Sequence, residues 1–270
     1  MNDRELSLIH RLDAVEAKAY RDMFAAAPDA LGLEALEVGD ATLLVAKGLP
    51  VPMFNRVIGL GNSSSANKRV LDNIADAYRA AGIKHWWIHV SPGARPDSLA
   101  QTLEARGFVR PARRSWAKVW RGNEPAAPVD SGLEIRPLVR GEERAFGETL
   151  AAAFEMPPAG IPWFASMPKL PRWRAVAAFD RGRMVGGGLL HLQGENAWLG
   201  AGGVRPEARR HHAHRALMLA RIRLAIDAGC KHLVTETGEQ MGDEPNPSLR
   251  NMLACGFAKI CSRENYAAPA

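Results

Sequence analysis

The chain has 270 residues, which suits one large domain or two of ordinary size. With 47% hydrophobic and 24% charged residues it is typical of a soluble globular protein, and no apolar run approaches the ~20 residues that span a bilayer. The net charge of +6 favours anionic ligands such as phosphates. Without a basic run, aromatic–basic alternation or zinc-finger spacing, it does not indicate nucleic acid.

The opening residues and the cysteines indicate the compartment. The start, MNDRELSLIH, is charged and lacks the apolar core of a signal peptide, so a cytoplasmic location is expected. The three cysteines, Cys230, Cys255 and Cys261, are odd in number and lack a paired metal-binding spacing. They are therefore expected to be free thiols.

Periodicity and turn residues predict the elements of the first half. Apolar residues recur every three or four positions from Leu8 to Met23, as in an amphipathic helix. The elements that follow are a hairpin turning at Gly39–Asp40, a strand over 53–61, a helix over 65–82, a strand over 84–90, a short helix over 97–108 and a strand over 114–120.

A stretch without periodicity divides the chain. RGNEPAAPVDSG, residues 121–132, is rich in Pro, Ala and Gly, which is typical of a linker. The sequence therefore predicts a first domain over 1–122, a linker over 123–131 and a second domain over 132–270.

The second half ends in the same order of elements. It is predicted to contain a strand over 133–139, a helix over 142–154, an unassigned Pro- and Trp-rich segment over 156–173, a hairpin turning at Asp180–Gly182, a strand over 196–204, a long helix over about 209–228, a strand over 231–237, a short helix over 247–257 and a final strand.

The two halves also share short stretches of similar sequence. AGIKHWWIHV (81–90) aligns with AGCKHLVTET (228–237), and LEARGF aligns with LACGF at nearly the same offset. Two matches that agree in spacing and element type favour a tandem duplication over a chance recurrence at helix ends.

Residues 132–266 resemble the GNAT superfamily of acetyltransferases. The family signature, V-x-P-E-x-R-x-x-G-x-G/A between a strand and a long helix, is met by Val204, Pro206, Glu207 and Arg209. The resemblance implies an α/β (α+β) fold of two tandem GNAT-like domains, each with a mixed, mostly antiparallel central sheet flanked by helices. The first half carries GNSSSANK (61–68) where the signature belongs, so the first domain is expected to be degenerate.

The resemblance implies an acyl-CoA, with acetyl-CoA expected, as co-substrate. A helix start offers unpaired N–H groups to the phosphates, small residues allow close approach, and arginines add charge. The candidate cofactor-binding residues are Gly203, Val204, Arg209, Arg210, His211, His212, Ala213, His214, Arg215 and Asn251.

The histidine cluster is the main departure from the signature, because His212 and His214 replace its two small residues. Three interpretations stay open: the loop binds coenzyme A with imidazoles that titrate near neutral pH, the side chains block the cofactor, or the histidines bind a metal. No Cys, Asp or further His completes a tetrahedral ligand set, so we expect no metal.

The implied reaction is direct transfer of an acyl group to an amine from a thioester inserted between the splayed fourth and fifth strands of the domain. The N–H of Val204 is expected to polarise the thioester carbonyl. The family often places a tyrosine acid four residues before the Gly of the GF pair, but Met252 stands there. The candidate catalytic residues are Glu236, Ser248 and Asn251, with Glu195 and His191 as further candidates.

The sequence does not identify the acceptor, which is expected to be a small-molecule or peptide amine. Trp163, Phe164 and Trp173 are candidates for the wall of its pocket, or for the core. No nucleic-acid or membrane partner is expected, and the protein is expected to be a monomer or homodimer. The alternative function is an inactive GNAT-like ligand-binding or regulatory protein.

Overall fold

The computed structural model describes residues 1–49, 51–113, 115–209 and 212–269. Packing groups these residues into two units. The first unit is Met1–Lys118 with Thr237–Asn246 and Lys259–Ala270, and the second is Val119–Glu236 with Pro247–Ala258. Two segments near the end of the chain therefore pack with the first unit, whereas the sequence assigned all of 132–270 to the second domain. The division of the chain at 123–131, where no helix or strand forms, stays a prediction.

The described chain contains these helices and strands, in order: α1 (Asp3–Ala25), β1 (Leu33–Val38), β2 (Ala41–Ala46), β3 (Arg56–Ile58), α2 (Lys68–Ala80), β4 (Trp87–Val90), α3 (Leu99–Ala105), β5 (Ser115–Arg121), β6 (Glu134–Pro137), α4 (Glu143–Ala153), α5 (Gly160–Ser166), β7 (Trp173–Asp180), β8 (Arg183–Gln193), β9 (Asn196–Val204), α6 (Ala213–Asp227), β10 (His232–Gly238), α7 (Pro247–Ala254) and β11 (Ala258–Ala267). Among them, no helix has both the length and the apolar content needed to cross a membrane.

Each unit is built on a mixed sheet. The strand order is β1-β2-β3-β4-β11-β5 in the first unit and β10-β9-β8-β7-β6 in the second. The pairs β3–β4 and β9–β10 are parallel. The hairpins β1–β2, β7–β8 and β8–β9 are antiparallel. The expected fold class, mixed and mostly antiparallel sheets flanked by helices, is confirmed.

The two halves of the chain repeat one arrangement of elements. The order β3–α2–β4–α3–β5 recurs as β9–α6–β10–α7–β11, and the first two strands of each set are parallel neighbours. Gly82 and Gly229 follow α2 and α6 with φ of +72° and +82°. Glycine adopts this left-handed conformation without a side-chain clash, so each helix ends at the same point of the repeat.

The second unit packs its sheet between helices. Leu190 and Leu199 face Ile222 of α6 and Met252 of α7 in one apolar cluster. On the other side, Gly187 gives α4 room, since a Cβ there would lie 2.5 Å from the ring of Phe146.

The two faces of the sheet in the first unit differ in polarity. Val57 and Ile88 pack towards α2 and α3, whereas the neighbouring residues Arg56 and His89 face the other way. There Arg56 bonds Glu16 of α1.

Three predicted elements needed correction. The long helix begins at Ala213 rather than near 209, because a 3-10 turn, Pro206–Ala208, precedes it. The strand predicted over 53–61 is only Arg56–Ile58, since another 3-10 turn takes Pro52–Phe54. The unassigned Pro- and Trp-rich segment contains the short helix α5.

Candidate active site

The central feature of the second unit is a gap between two parallel strands. β9 pairs with β10 only from His232↔Asn196 to Val234↔Trp198, although β9 continues to Val204. Just beyond the last pair, the Thr235 hydroxyl donates to the Leu199 carbonyl at 2.6 Å. Within the described chain, one edge of β9 is therefore open along its second half, as the expected splay requires.

A β-bulge in β9 sets the direction of its backbone groups. Gly203 pairs with Gly187 and Gly200 pairs with Leu189, so two residues of β9, Ala201 and Gly202, lie opposite one of β8. Ala201 has a left-handed φ of +44°, which is unfavourable for a residue with a Cβ.

The backbone beyond the bulge presents a donor on the open side. The Arg205 N–H donates to the Val185 carbonyl of β8 at 2.8 Å. Because N–H groups alternate in direction along a strand, the Val204 N–H points away from β8. Val204, predicted to polarise a carbonyl, therefore has its N–H on the open edge, one residue beyond Gly203.

The loop before α6 contains the predicted phosphate ligands. Arg209 lies four residues before the helix, and its side chain donates to the carbonyls of Val204 and Ala153, both at 3.3 Å. Arg209 therefore precedes the helix instead of beginning it, and its contact with phosphate stays a prediction. Arg210 and His211 lie outside the described residues.

His212 is the N-cap of α6 and adopts a left-handed φ of +52°. This conformation explains why the signature has glycine here, and it is strained for histidine. The exposed imidazole makes no capping hydrogen bond, so the first-turn N–H groups of α6, beginning at Ala213, are not capped by it.

His214 and Asn251, both predicted to bind cofactor, are brought together. Asn251 Nδ2 lies 3.3 Å from His214 Nδ1, so the amide donates and the ring proton resides on Nε2. Burial, with a smaller effect of Arg221, lowers the pKa of His214 to about 4. The imidazole is therefore neutral at pH 7, and the expectation that it titrates near neutral pH is wrong for the free protein.

A sequence model of the acetyltransferase (GNAT) family matches residues 144–257. The match places a GNAT-family domain within the second half of the chain. A search of curated proteins finds no relative.

Solved structures share the fold over nearly the whole chain. A GCN5-related N-acetyltransferase from Kribbella flavida is 14% identical, with a TM-score of 0.66 and coverage of 97% of this chain and 96% of that chain. One from Sphaerobacter thermophilus is 18% identical, with a TM-score of 0.62 and coverage of 93% and 92%. A tandem GNAT protein from the clavulanic acid biosynthesis pathway is 18% identical, with a TM-score of 0.64 and coverage of 99% and 95%. At these identities the likeness shows the fold alone.

The other predicted catalytic residues lie on β10 and α7 of the GNAT domain. Trp198 Nε1 donates to both carboxylate oxygens of Glu236, at 3.0 and 3.2 Å. The Trp198 ring meets Trp173, which contacts His191 at a ring-centroid distance of 4.7 Å. Glu236 and Asn251 thus belong to two different hydrogen-bonded pairs. Ser248, partly exposed, lies in the first turn of α7.

The remaining candidates have structural partners. Glu195 lies in the β8–β9 turn and forms an ion pair with Lys231. Trp163 and Phe164 are buried and stack with ring centroids 5.6 Å apart. Their interior packing favours the core interpretation over a pocket wall. Met252, in place of the family's tyrosine, is also buried and has no proton to donate.

The sequence missed Arg221, a buried residue of α6 that bonds the carbonyls of both Leu189 and Gly200. The helical spacing could have identified Arg221 as buried, because it follows Ala213 and Leu217 at four-residue steps on the apolar face of the helix.

The corresponding loop of the first unit already holds a carboxylate. Asp40 accepts from the N–H groups of Gly61, Ser63 and Ser64, at 3.2, 2.7 and 2.9 Å. These donors precede α2 just as the signature loop precedes α6. The anion-binding groups of GNSSSANK are therefore used within the protein.

No cluster of three or more His, Cys, Asp or Glu side chains suited to a metal ion occurs in the described ranges, which do not include His211. The three cysteines are buried free thiols. Burial raises the pKa of each of them.

Proposed function

We propose that the second unit is an acyl-CoA-dependent N-acyltransferase that moves an acyl group, acetyl in the first instance, directly to an amine. The open edge of β9, with the Val204 N–H turned into the gap beside β10, carries this proposal. The match of residues 144–257 to the GNAT family supports it, since GNAT acetyltransferases use an acyl-CoA as co-substrate.

Coenzyme A is proposed to lie with its pantetheine arm in the gap and its phosphates at the start of α6. The first-turn N–H groups that the His212 side chain does not cap, and the positive end of the helix dipole, favour phosphate. Arg215, in the first turn, adds a charge. The sequence candidates Arg209, Arg210, His211 and His212 belong to the same proposed site.

The reaction requires a hydrogen-bond donor to the thioester oxygen, a base for the amine proton and a group that stabilises the leaving thiolate. The amine nitrogen attacks the thioester carbonyl while the Val204 N–H stabilises the charge that develops on its oxygen. The C–N bond forms, the C–S bond breaks, and Glu236 takes the amine proton, directly or through water. The His214 Nε2–H, with Asn251 holding the ring, donates a hydrogen bond that stabilises the leaving thiolate, and the thiolate takes its proton from water. This pair is proposed to replace the missing tyrosine.

The first unit is proposed to bind no coenzyme A. Asp40 fills the loop that corresponds to the signature, and a phosphate would meet a carboxylate there. The expected stoichiometry is therefore one acetyl-CoA per chain.

Calorimetric titration of acetyl-CoA into the protein tests the binding site. Arg215→Ala should raise the Kd about tenfold or more, because a charge-assisted contact is lost. Arg223→Ala is the matched control, since Arg223 is exposed two turns further along α6 and should leave the Kd within about twofold. Equal effects of the two variants would contradict the phosphate position.

Thiol release from acetyl-CoA in the presence of a panel of primary amines tests the reaction. Amine-dependent release is expected. The inactive ligand-binding alternative, favoured by the side chains at His212 and His214, predicts binding without release for every amine.

A further inference from the structure

Arg221 is a buried cation with no carboxylate partner among the residues that the structure describes. Its side chain is 1% exposed, and its hydrogen bonds all go to carbonyl oxygens: Nε to Leu217 at 3.1 Å, and Nη1 to Leu189 at 3.2 Å and Gly200 at 3.1 Å. Burial lowers its pKa to about 10, so it is still charged at neutral pH. Burying a charge without a counter-charge costs free energy. A buried arginine of this kind therefore indicates a structural or functional role that offsets the cost.

The guanidinium lies at the β9 bulge. Leu189 and Gly200 form the last regular pair before the bulge, so Nη1 bridges the two strands where the ladder becomes irregular. A Cβ on Gly188 or on Gly202 would lie 2.7 Å from Arg221 atoms. Glycines on both strands therefore leave the space that the guanidinium fills.

The bulge decides where the Val204 N–H points. One extra residue in β9 reverses the alternation of its N–H groups relative to β8. If β9 instead kept the register of the Gly200–Leu189 pair to its end, Val204 would lie opposite Val185, and its N–H would point to β8 and be unavailable to a ligand. The left-handed Ala201 makes the bulge unfavourable by itself, so something must hold it.

We propose that Arg221 is a positioning residue for acyl transfer, which clamps the bulge between β8 and β9 and so aims the Val204 N–H at the thioester carbonyl. This inference rests on the proposed function and adds a residue that touches neither cofactor nor acceptor. It predicts that loss of Arg221 weakens polarisation of the thioester more than it weakens binding of coenzyme A.

Acetyl-CoA labelled with ¹³C at its carbonyl provides the test, because hydrogen bonding to that oxygen moves the resonance downfield. The bound resonance is compared in the wild type, Arg221→Met, Arg221→Lys and Gly188→Ala. Gly188→Ala keeps Arg221, but its added Cβ displaces the guanidinium from the bulge. Arg121→Met is the matched control, since Arg121 is also buried and donates to three carbonyls, of Gly122, Glu124 and Cys255.

We expect a downfield resonance in the wild type and in Arg121→Met. In Arg221→Met and Gly188→Ala it should return most of the way to the position of free acetyl-CoA, with Arg221→Lys in between. The Kd for acetyl-CoA should change by less than about threefold, while amine-dependent thiol release falls about tenfold or more, as for loss of an oxyanion donor.

The outcomes separate the two proposals. If the wild type binds with a displaced resonance and Gly188→Ala and Arg221→Lys keep it, Arg221 has no positioning role and the proposed function stands. If the wild type binds no acetyl-CoA, the proposed function and this inference are both wrong. If Arg221→Met does not fold, the resonances of Gly188→Ala and Arg221→Lys test the positioning role of Arg221.

Discussion

Replacing Glu16 of α1 with glutamine should strongly destabilise the first unit. Glu16 is fully buried and accepts from Arg263 at 2.6 Å, Lys118 at 2.8 Å and Arg56 at 2.9 Å. Asp13, also buried, is a second acid in this charge network and accepts from Arg263 at 3.3 Å. Three buried cations thus face two carboxylates.

The size of the effect follows from that imbalance. Glutamine keeps the shape of Glu16 but removes its charge, so Arg56, Lys118 and Arg263 would all lose the carboxylate that they share. Removing one partner of a buried ion pair typically costs about 3–5 kcal/mol, because the remaining charge is left uncompensated. We expect Glu16→Gln to lower the free energy of unfolding by about that amount.

Urea-induced unfolding, with hydrogen exchange in β3, β4 and β11 to report on the first unit, measures the loss. Glu37→Gln is the matched control, since Glu37 pairs with Arg21 at the surface and its side chain is 66% exposed. The control should change stability by less than about 1 kcal/mol. A loss below about 1 kcal/mol for Glu16→Gln would refute the claim that the charge network stabilises this unit.

The same carboxylate predicts a pH dependence. Burial alone would raise the pKa of Glu16, but Arg263, Lys118 and Arg56 outweigh burial and lower it well below its ordinary value. A pKa that is lower in the folded state contributes stability above the unfolded pKa, and this stability is lost as pH falls through the folded pKa. The difference between wild type and Glu16→Gln should therefore be complete at pH 7 and narrow only below about pH 4.5.

Three further outcomes are expected. His212→Gly should stabilise the protein by about 1 kcal/mol in thermal unfolding, because glycine adopts the left-handed conformation freely, whereas His212→Ala keeps the Cβ and should give no gain. Asp40→Ala should lower the free energy of unfolding in urea by about 1–3 kcal/mol, since the N–H groups of the 61–64 loop lose a charged acceptor; a loss below about 0.5 kcal/mol would contradict the contact. The ring resonances of His214 should stay unchanged between pH 8 and 6 in the free protein and shift only near pH 4, because burial keeps the imidazole neutral; titration near 6.5 would disprove this.

Much of the fold could be predicted from the sequence because its signals are local. Helix ends at Gly82 and Gly229, turns at 39–40 and 180–182, and the Gly–Phe pairs follow from neighbouring residues. The short helix α5 escaped prediction because Pro162 and two aromatic residues interrupt its periodicity, and packing rather than propensity forms it. The grouping of β11 with the first unit depends on pairing with β4, which is distant in sequence.

The site was predictable only where the signature names a position. Val204 was identified, but the direction of its N–H depends on the register of β9 against β8, which no local pattern contains. The contacts of Arg221 with Leu189 and Gly200, and of Asp40 with its loop, likewise join distant segments. In the sequence, His211, His212 and His214 were a possible metal site. Of the two that the structure describes, His212 is the N-cap of α6 and His214 lies beside the amide of Asn251.

The most direct measurement is a crystal structure of the protein with acetyl-CoA. The account predicts one molecule per chain, with pantetheine between β9 and β10, phosphates at the start of α6 and the thioester oxygen about 3 Å from the Val204 nitrogen. Acetyl-CoA bound at the 61–68 loop of the first unit, or lying outside the gap with the Val204 N–H bonded to protein, would contradict it.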